Sequence, residues 1–244
     1  MGEEGSVLRL GGIAGLLAGI VYTLGLAVDL AGRPAFVSFE ESLRRFPEWI
    51  SVHVLGFGLI LAAVILAMAL FLALYRALRG TSPALALFGG VLGVLGLLMF
   101  AFLNAFSITV LPLISDLFAA AETAEEEQTI ILLYQVGSRV PGLALGLVAI
   151  SLVSAGFISL GAAMFSDPDF RKGLGSISMA FGVVGLGAQI SLRVAFTSVA
   201  GEAAASAGAL AMAGVLPTIL LIVFLLLFGW KVYSLSSRRS LRGP

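Results

Sequence analysis

The chain has 244 residues, of which 59% are hydrophobic and only 11% are charged, and its mean hydropathy is +1.10. Soluble domains carry about 25% charged residues, so this composition predicts a chain that resides in a lipid bilayer. The formal net charge is zero, which argues against nucleic acid as a partner. There is no cysteine and a single histidine, which excludes disulfides, iron–sulfur clusters and metal sites built from several imidazoles of one chain, and we expect no cofactor.

Six apolar runs follow one another, each near or above the roughly 20 residues that cross a bilayer as a helix. They are too long for the strands of a membrane barrel and lack the alternation of such strands. The sequence therefore predicts an all-α fold, a polytopic bundle of six transmembrane helices forming a single domain over residues 1–244. The predicted spans are about 10–30, 50–75, 83–114, 138–165, 175–200 and 208–233.

The basic residues are shared unevenly between the two sides of this predicted topology. With six crossings, nine of the 14 Lys and Arg residues fall on the side of the termini and three on the other, while Arg139 and Arg193 lie in or at the edge of spans. Because cytoplasmic loops carry an excess of Lys and Arg, we expect both termini in the cytoplasm and the chain in the inner (plasma) membrane.

Two segments on the opposite, outer side are longer than turns. "SFEESLRRF" is typical of a short helix with Ser38 as its N-cap, and Thr123 followed by Glu126 has the spacing of a capping box. The third run, at about 46 Å if fully helical, exceeds a hydrocarbon core of about 30 Å. We therefore expect a helical hairpin on the outer side, with Glu125–Glu127 at its tip as a solvated surface or as a docking point for a cationic partner.

Glycines recur every four residues in several predicted helices, at Gly11, Gly15 and Gly19, at Gly89 and Gly93, and at Gly142 and Gly146. Small residues at this spacing let helix backbones approach closely in lipid. The pattern has two interpretations: packing within the chain, which a chain with 30 glycines favours, and a face for homo-oligomerisation.

The strongly polar residues of the predicted spans all fall in the outer half of the membrane. Charges gathered at one level can pair or share a water-filled recess, so we predict a polar recess that opens to the outside and is closed by apolar packing below. The residues predicted to bind a ligand there are Asp29, His53, Asn104, Asp116, Gln135, Arg139, Gln189 and Arg193.

The two arginines carry most of this prediction, because a cation at the centre of a membrane helix costs about 2.5–3.5 kcal/mol. Arg193 has three interpretations: it extends to the headgroups, it pairs with Asp29 or Asp116, or it binds a ligand. Arg139 follows Ser138, a candidate N-cap, and a helix N-terminus favours an anion, either a ligand or a phospholipid headgroup. A glutamine precedes each arginine by four positions and so shares its helix face.

Three stretches resemble a family of bacterial membrane proteins, the domain-of-unknown-function 4386 group. They are "RLGGIAGLLAGIVY", "ALFLALYRALRGTSPALALFGGVLG" and "RVPGLALGLVAISLVSAGFISLGAAMF". The resemblance covers about two thirds of the chain. It implies a compact helical bundle of bacterial inner-membrane type and no known activity.

The sequence leads to three hypotheses for function. The first is a non-enzymatic binding protein whose outer recess takes an anionic small molecule or a lipid headgroup. The second is an accessory or structural subunit of a larger membrane complex, which contacts a partner membrane subunit through the glycine faces and the acidic hairpin. The third is a small-solute transporter. An enzyme has the least support, because His53, Asp29 and Asp116 could move protons but no nucleophile accompanies them.

Overall fold

The structure is a computed structural model that describes residues 3–32, 39–134, 136, 140–170, 172–197 and 207–241. Within these ranges the side chains of residues 3–4, 39, 140–143, 189–197, 207–217 and 238–241 lie outside the description. The described residues form eight α-helices and no strand. They are α1 (Glu3–Gly32), α2 (Phe39–Arg44), α3 (Phe46–Leu78), α4 (Pro83–Ala119), α5 (Ala124–Tyr134), α6 (Val140–Phe165), α7 (Lys172–Thr197) and α8 (Ala207–Leu241).

Five described helical segments are long and apolar enough to cross a membrane, which indicates a multi-pass protein in a lipid bilayer. They lie in α1, α3, α4, α6 and α8 as Gly5–Gly32, Phe46–Leu78, Pro83–Ala119, Ala144–Phe165 and Thr218–Ser237. In α7 the described apolar stretch is the shorter Lys172–Ala188. The all-α prediction is confirmed for the described residues, and α1, α3, α4 and α8 extend beyond the predicted apolar runs. Helix α3 begins at Phe46 because Pro47 suits the first turn of a helix, where a missing N–H costs no hydrogen bond.

The six long helices form a ring in chain order, in which α8 packs against both α1 and α7. Close contacts at glycines show that the neighbours in this ring run antiparallel. Gly25 of α1 lies against Ile60 of α3, while Gly15 of α1 lies against Leu70 and also against Gly229 of α8. Low residue numbers of α1 thus meet high numbers of α3 and α8. The same reversal relates α3 to α4, α4 to α6, and α6 to α7.

This arrangement gives the bundle two distinct ends. We call the end where α1 finishes and α3 begins the His53 end, and the opposite end, where α6 finishes and α7 begins, the Asp167 end. At the Asp167 end the hydroxyl of Thr81, in the turn before α4, donates to the carboxylate of Asp167 at 3.0 Å. Asp167 is buried and also accepts the backbone N–H of Asp169 at 2.8 Å. The Thr81–Asp167 bond joins the α3–α4 turn to the α6–α7 turn, and the Asp169–Asp167 bond lies within the α6–α7 turn.

The core inside the ring is apolar and is centred on a cluster of phenylalanines. Phe71 of α3 stacks with Phe157 of α6 and with Phe224 of α8 at ring-centroid distances of 5.6 and 5.7 Å. Phe157 and Phe224 lie 4.2 Å apart, and Phe224 stacks on Phe228 at 4.3 Å. The cluster ties three helices of the ring together across its centre.

The glycine repeats pack within the chain where the structure describes them. A Cβ at Gly15 would lie 2.8 Å from Leu70 Cδ2, and one at Gly89 would lie 2.9 Å from the backbone nitrogen of Leu160. The backbone of Leu160 cannot rotate aside as the end of the Leu70 side chain can, so the approach at Gly89 requires a glycine. The intramolecular interpretation is confirmed for these repeats. Gly146 has only a distant neighbour, Leu103 Cδ1 at 3.8 Å, and the side-chain position of residue 142 lies outside the description.

Two short helices cover the His53 end. Helix α2 packs on α4, where the hydroxyl of Ser115 donates to the carbonyl of Leu43 at 3.2 Å. Arg44 pairs with Glu127 of α5 at 3.2 Å and lies 5.5 Å from the ring centroid of Phe118. Helices α4 and α5 form the predicted helical hairpin, joined by the turn 120–123.

The cap predicted for α5 is confirmed, and the one predicted for α2 lies outside the described residues. The backbone N–H of Glu126 donates to the Thr123 hydroxyl at 3.2 Å, and the Glu126 carboxylate accepts the N–H of Glu122 at 2.8 Å. Ser38 belongs to the part of the chain that the structure does not describe.

Candidate functional site

The eight residues predicted to bind a ligand divide into those with described side chains and those without. Gln135 and Arg139 lie outside the described residues, and Gln189 and Arg193 lie on α7, with side chains outside the description. Asp29, His53, Asn104 and Asp116 have described side chains, and their helices α1, α3 and α4 are neighbours in the ring.

The structure brings Asp29 and His53 together. The Oδ1 atom of Asp29 lies 4.0 Å from Nδ1 of His53, and the two side chains are only 14% and 4% exposed. Gly56, one turn after His53, makes this approach possible, because a Cβ there would lie 3.1 Å from the Cβ of Asp29. The backbones of α1 and α3 are therefore close enough at this level for an acidic side chain on one helix to face an imidazole on the other.

The other ring nitrogen of His53 faces α4. Nε2 lies 3.4 Å from both the hydroxyl and the backbone carbonyl oxygen of Ser107. An imidazole with its proton on Nε2 donates to that carbonyl, whereas one with its proton on Nδ1 accepts from the hydroxyl and turns its N–H towards Asp29. Ser107 thus accommodates either tautomer, and the cationic form would have Asp29 on one side and the Ser107 carbonyl on the other.

Aromatic rings surround this histidine. Phe46 and Trp49 meet its ring edge-to-face at centroid distances of 5.4 Å, and Phe57 lies 4.4 Å away. Trp49 and Phe46 are themselves buried and pack edge-to-face at 4.7 Å. The rings follow from the sequence, since residues 46, 49, 53 and 57 share one face of α3 at intervals of three and four. They place the Asp29–His53 pair in an apolar setting.

The Asp29 carboxylate has an oxygen that lacks a hydrogen-bond donor among the described residues. Among the described residues, its Oδ1 atom is buried and has no hydrogen-bond donor. A buried acceptor without a partner costs about 1–3 kcal/mol, and more when it is charged. Protonation of His53 would supply a nearby positive charge that compensates part of this cost.

The other two described residues lie apart from this pair. Asn104 is buried and its Nδ2 donates to the carbonyl of Phe100 at 2.7 Å, a bond within α4. It lies one turn before Ser107 on the same helix. Asp116 is exposed, near the end of α4. Of the residues predicted to line the recess, the structure therefore brings Asp29 and His53 together, and it adds Ser107 from α4.

The structure adds a cavity of about 250 Å³ that the sequence does not predict. It lies inside the ring, and five of the six long helices line it. Its walls are mostly apolar, and its polar groups are Ser154 of α6 and Tyr22 of α1, which hydrogen-bonds the Thr218 side chain on α8. No sequence signal identifies such a cavity, because its lining residues are ordinary apolar residues scattered over five helices.

Among the described residues, the Asp29–His53 pair can hold a proton and the cavity can hold an apolar group. The described residues include no cluster of three or more His, Asp or Glu residues that would hold a metal ion. The Ser107 hydroxyl lies 3.4 Å from Nε2 of His53, which is longer than the roughly 2.6–3.2 Å at which a base activates a nucleophile. The resemblance to the domain-of-unknown-function 4386 group stays a prediction. Comparison with protein-family models, with curated proteins and with solved structures gave no match to this chain.

Proposed function

We propose that the protein is a non-enzymatic inner-membrane protein that binds an anionic small molecule or lipid headgroup at the His53 end of the bundle. In this proposal the chain crosses the membrane six times with both termini in the cytoplasm, so that the His53 end faces outward. The observation that supports it best is the grouping of Asp29, His53 and Ser107, drawn from three helices, at one end of an otherwise apolar ring.

The anion would be held by Arg193 and Arg139, the two cations that the sequence places in or at the edge of spans near this end. Arg193 follows Gly185 by eight residues on α7, a rise of about 12 Å towards the His53 end. Of the two acids predicted as its partners, Asp29 already faces His53 and Asp116 is exposed. A bound anion is therefore the counter-charge that we favour, because a cation within a membrane helix needs one.

A ligand-dependent melting experiment tests this function. Wild-type protein in nanodiscs of zwitterionic lipid is melted with and without added phosphate, a carboxylate or an anionic lipid. A ligand at a hundred times its Kd stabilises the folded state by about 2.7 kcal/mol. We expect this stabilisation in the wild type and its loss in Arg193→Leu.

Arg44→Leu is the matched control for charge at the same end. Arg44 is exposed and pairs with Glu127 on the surface, so its removal changes the local charge equally but leaves the proposed site intact. This variant should keep the ligand-dependent shift of the wild type. Equal shifts in the wild type and in Arg193→Leu would remove the anion-binding proposal.

A further inference from the structure

The cavity inside the ring has lining residues on α1 and α4, two of the helices that carry polar residues of the His53 end. Phe100 lines it, and Asn104, whose side chain donates to the Phe100 carbonyl, is one turn nearer to that end. Tyr22 lines it on α1, seven residues or about 10 Å before Asp29. On α1 and α4, polar residues of the His53 end therefore lie beyond the cavity, on the side away from the Asp167 end.

The phenylalanine cluster closes the cavity on its opposite side. Phe157 is the last lining residue along α6 and contacts Phe224 at 4.2 Å. On α8 the lining ends at Leu221, one turn before Phe224. The space thus has an apolar floor towards the Asp167 end and polar groups beyond its other end. This polarity matches a molecule with one apolar chain and one polar head.

The size and lining of the cavity limit the kinds of molecule that it can hold. At 250 Å³ it exceeds the apolar cavities of about 150 Å³ that stay dry and bind benzene, but it is below the roughly 300–1,000 Å³ of pockets for drug-sized ligands. The few hydroxyls include Tyr22 and Thr218, which already bond each other. A slender hydrocarbon group fits such a space better than a sugar, a nucleotide or a peptide.

We propose that the ligand is a single-chain anionic amphiphile of the fatty-acid class, whose hydrocarbon chain occupies this cavity. The inference rests on the proposed anion-binding function, because the headgroup would be the anion held at the His53 end. The surrounding bilayer supplies molecules of this class. The cavity then selects for one chain, and the arginines select for the charged head.

Photocrosslinking tests the placement of the chain. Palmitic acid with a diazirine at its terminal carbon is added to the full-length protein in nanodiscs, and the adducts are mapped by mass spectrometry. We expect adducts on the lining segments of α6 and α8, around Val153 and Leu221, and competition by unlabelled palmitate. Leu221→Trp fills the cavity and should lower their yield about tenfold or more.

Leu227→Trp is the matched control, since it makes the same change on the same helix at a residue that is 41% exposed. It should keep the cavity adducts of the wild type. Adducts found only at outward-facing positions of the ring, and unchanged in Leu221→Trp, would overturn the inference even if phosphate and carboxylates stabilise the protein.

The corresponding diazirine-bearing alcohol separates this inference from the function on which it rests. We expect the acid to label the cavity more strongly than the alcohol in the wild type, and equally weakly in Arg193→Leu. Cavity adducts that form equally with acid and alcohol would contradict anion binding, while still supporting a cavity for a hydrocarbon chain.

Discussion

The contact between α1 and α8 closes the ring, and Gly229→Ala tests it. A Cβ at residue 229 would lie 2.7 Å from the backbone nitrogen of Leu16, 2.9 Å from the carbonyl carbon of Gly15 and 3.0 Å from the carbonyl oxygen of Gly12. All three atoms belong to the backbone of α1, so no side chain can rotate away. The two helices would have to separate, and overpacking of this kind costs about 1–3 kcal/mol.

Alanine also favours a helix over glycine by up to about 1 kcal/mol, which would hide part of this cost. Gly58→Ala separates the helix-propensity gain from the cost of the contact. Residue 58 is also helical, and no atom lies within 4 Å of a Cβ built there. The propensity gain is common to both variants. The difference between their unfolding free energies therefore measures the contact alone, and we expect Gly229→Ala to be less stable than Gly58→Ala by about 1–3 kcal/mol.

The assay is thermal melting of both variants in the same nanodiscs, supported by unfolding in mixed detergent and SDS micelles. For chains of this size about 1 kcal/mol shifts the Tm by roughly 2–4 °C, so we expect a difference of about 2–12 °C between the two alanine variants. If both variants melt together, α8 does not pack on α1 as described. A loss of stability that depends on protein concentration would instead point to a contact between two chains.

Three further predictions concern side-chain contacts. A double-mutant cycle of His53→Phe and Asp29→Asn should give a coupling of about 0.5–3 kcal/mol, because the two side chains are buried and lie 4.0 Å apart. A coupling near zero would contradict the contact between the two side chains. Asp167→Ala should cost about 1–3 kcal/mol, whereas the exposed Asp116→Ala should leave the melting temperature unchanged. Thr123→Ala should weaken α5 by about 1 kcal/mol, seen as faster hydrogen exchange of its amides without a change in global melting.

Much of the fold can be predicted from the sequence, because the bilayer restricts the backbone structures that can cross it. Backbone groups in lipid must be hydrogen-bonded within the segment, so a long apolar run becomes a helix. Local signals add detail: Thr123 and Glu126 predict a cap that the structure contains, and the glycines every four residues of α1 and α4 predict close helix contacts. The grouping of Asp29 and His53 at one end also follows from topology, because α1 ends where α3 begins.

The tertiary structure decides which residues touch. The sequence predicts that Asp29, Asn104 and Asp116 lie at one level, but only packing shows that Asp29 faces His53, Asn104 bonds within α4, and Asp116 is exposed. Apolar helices in lipid attract one another without strong preference for a particular face, so neighbours are chosen by shape. The cavity arises from the same cause, because its volume is what remains after five helices have packed on one another at their glycines.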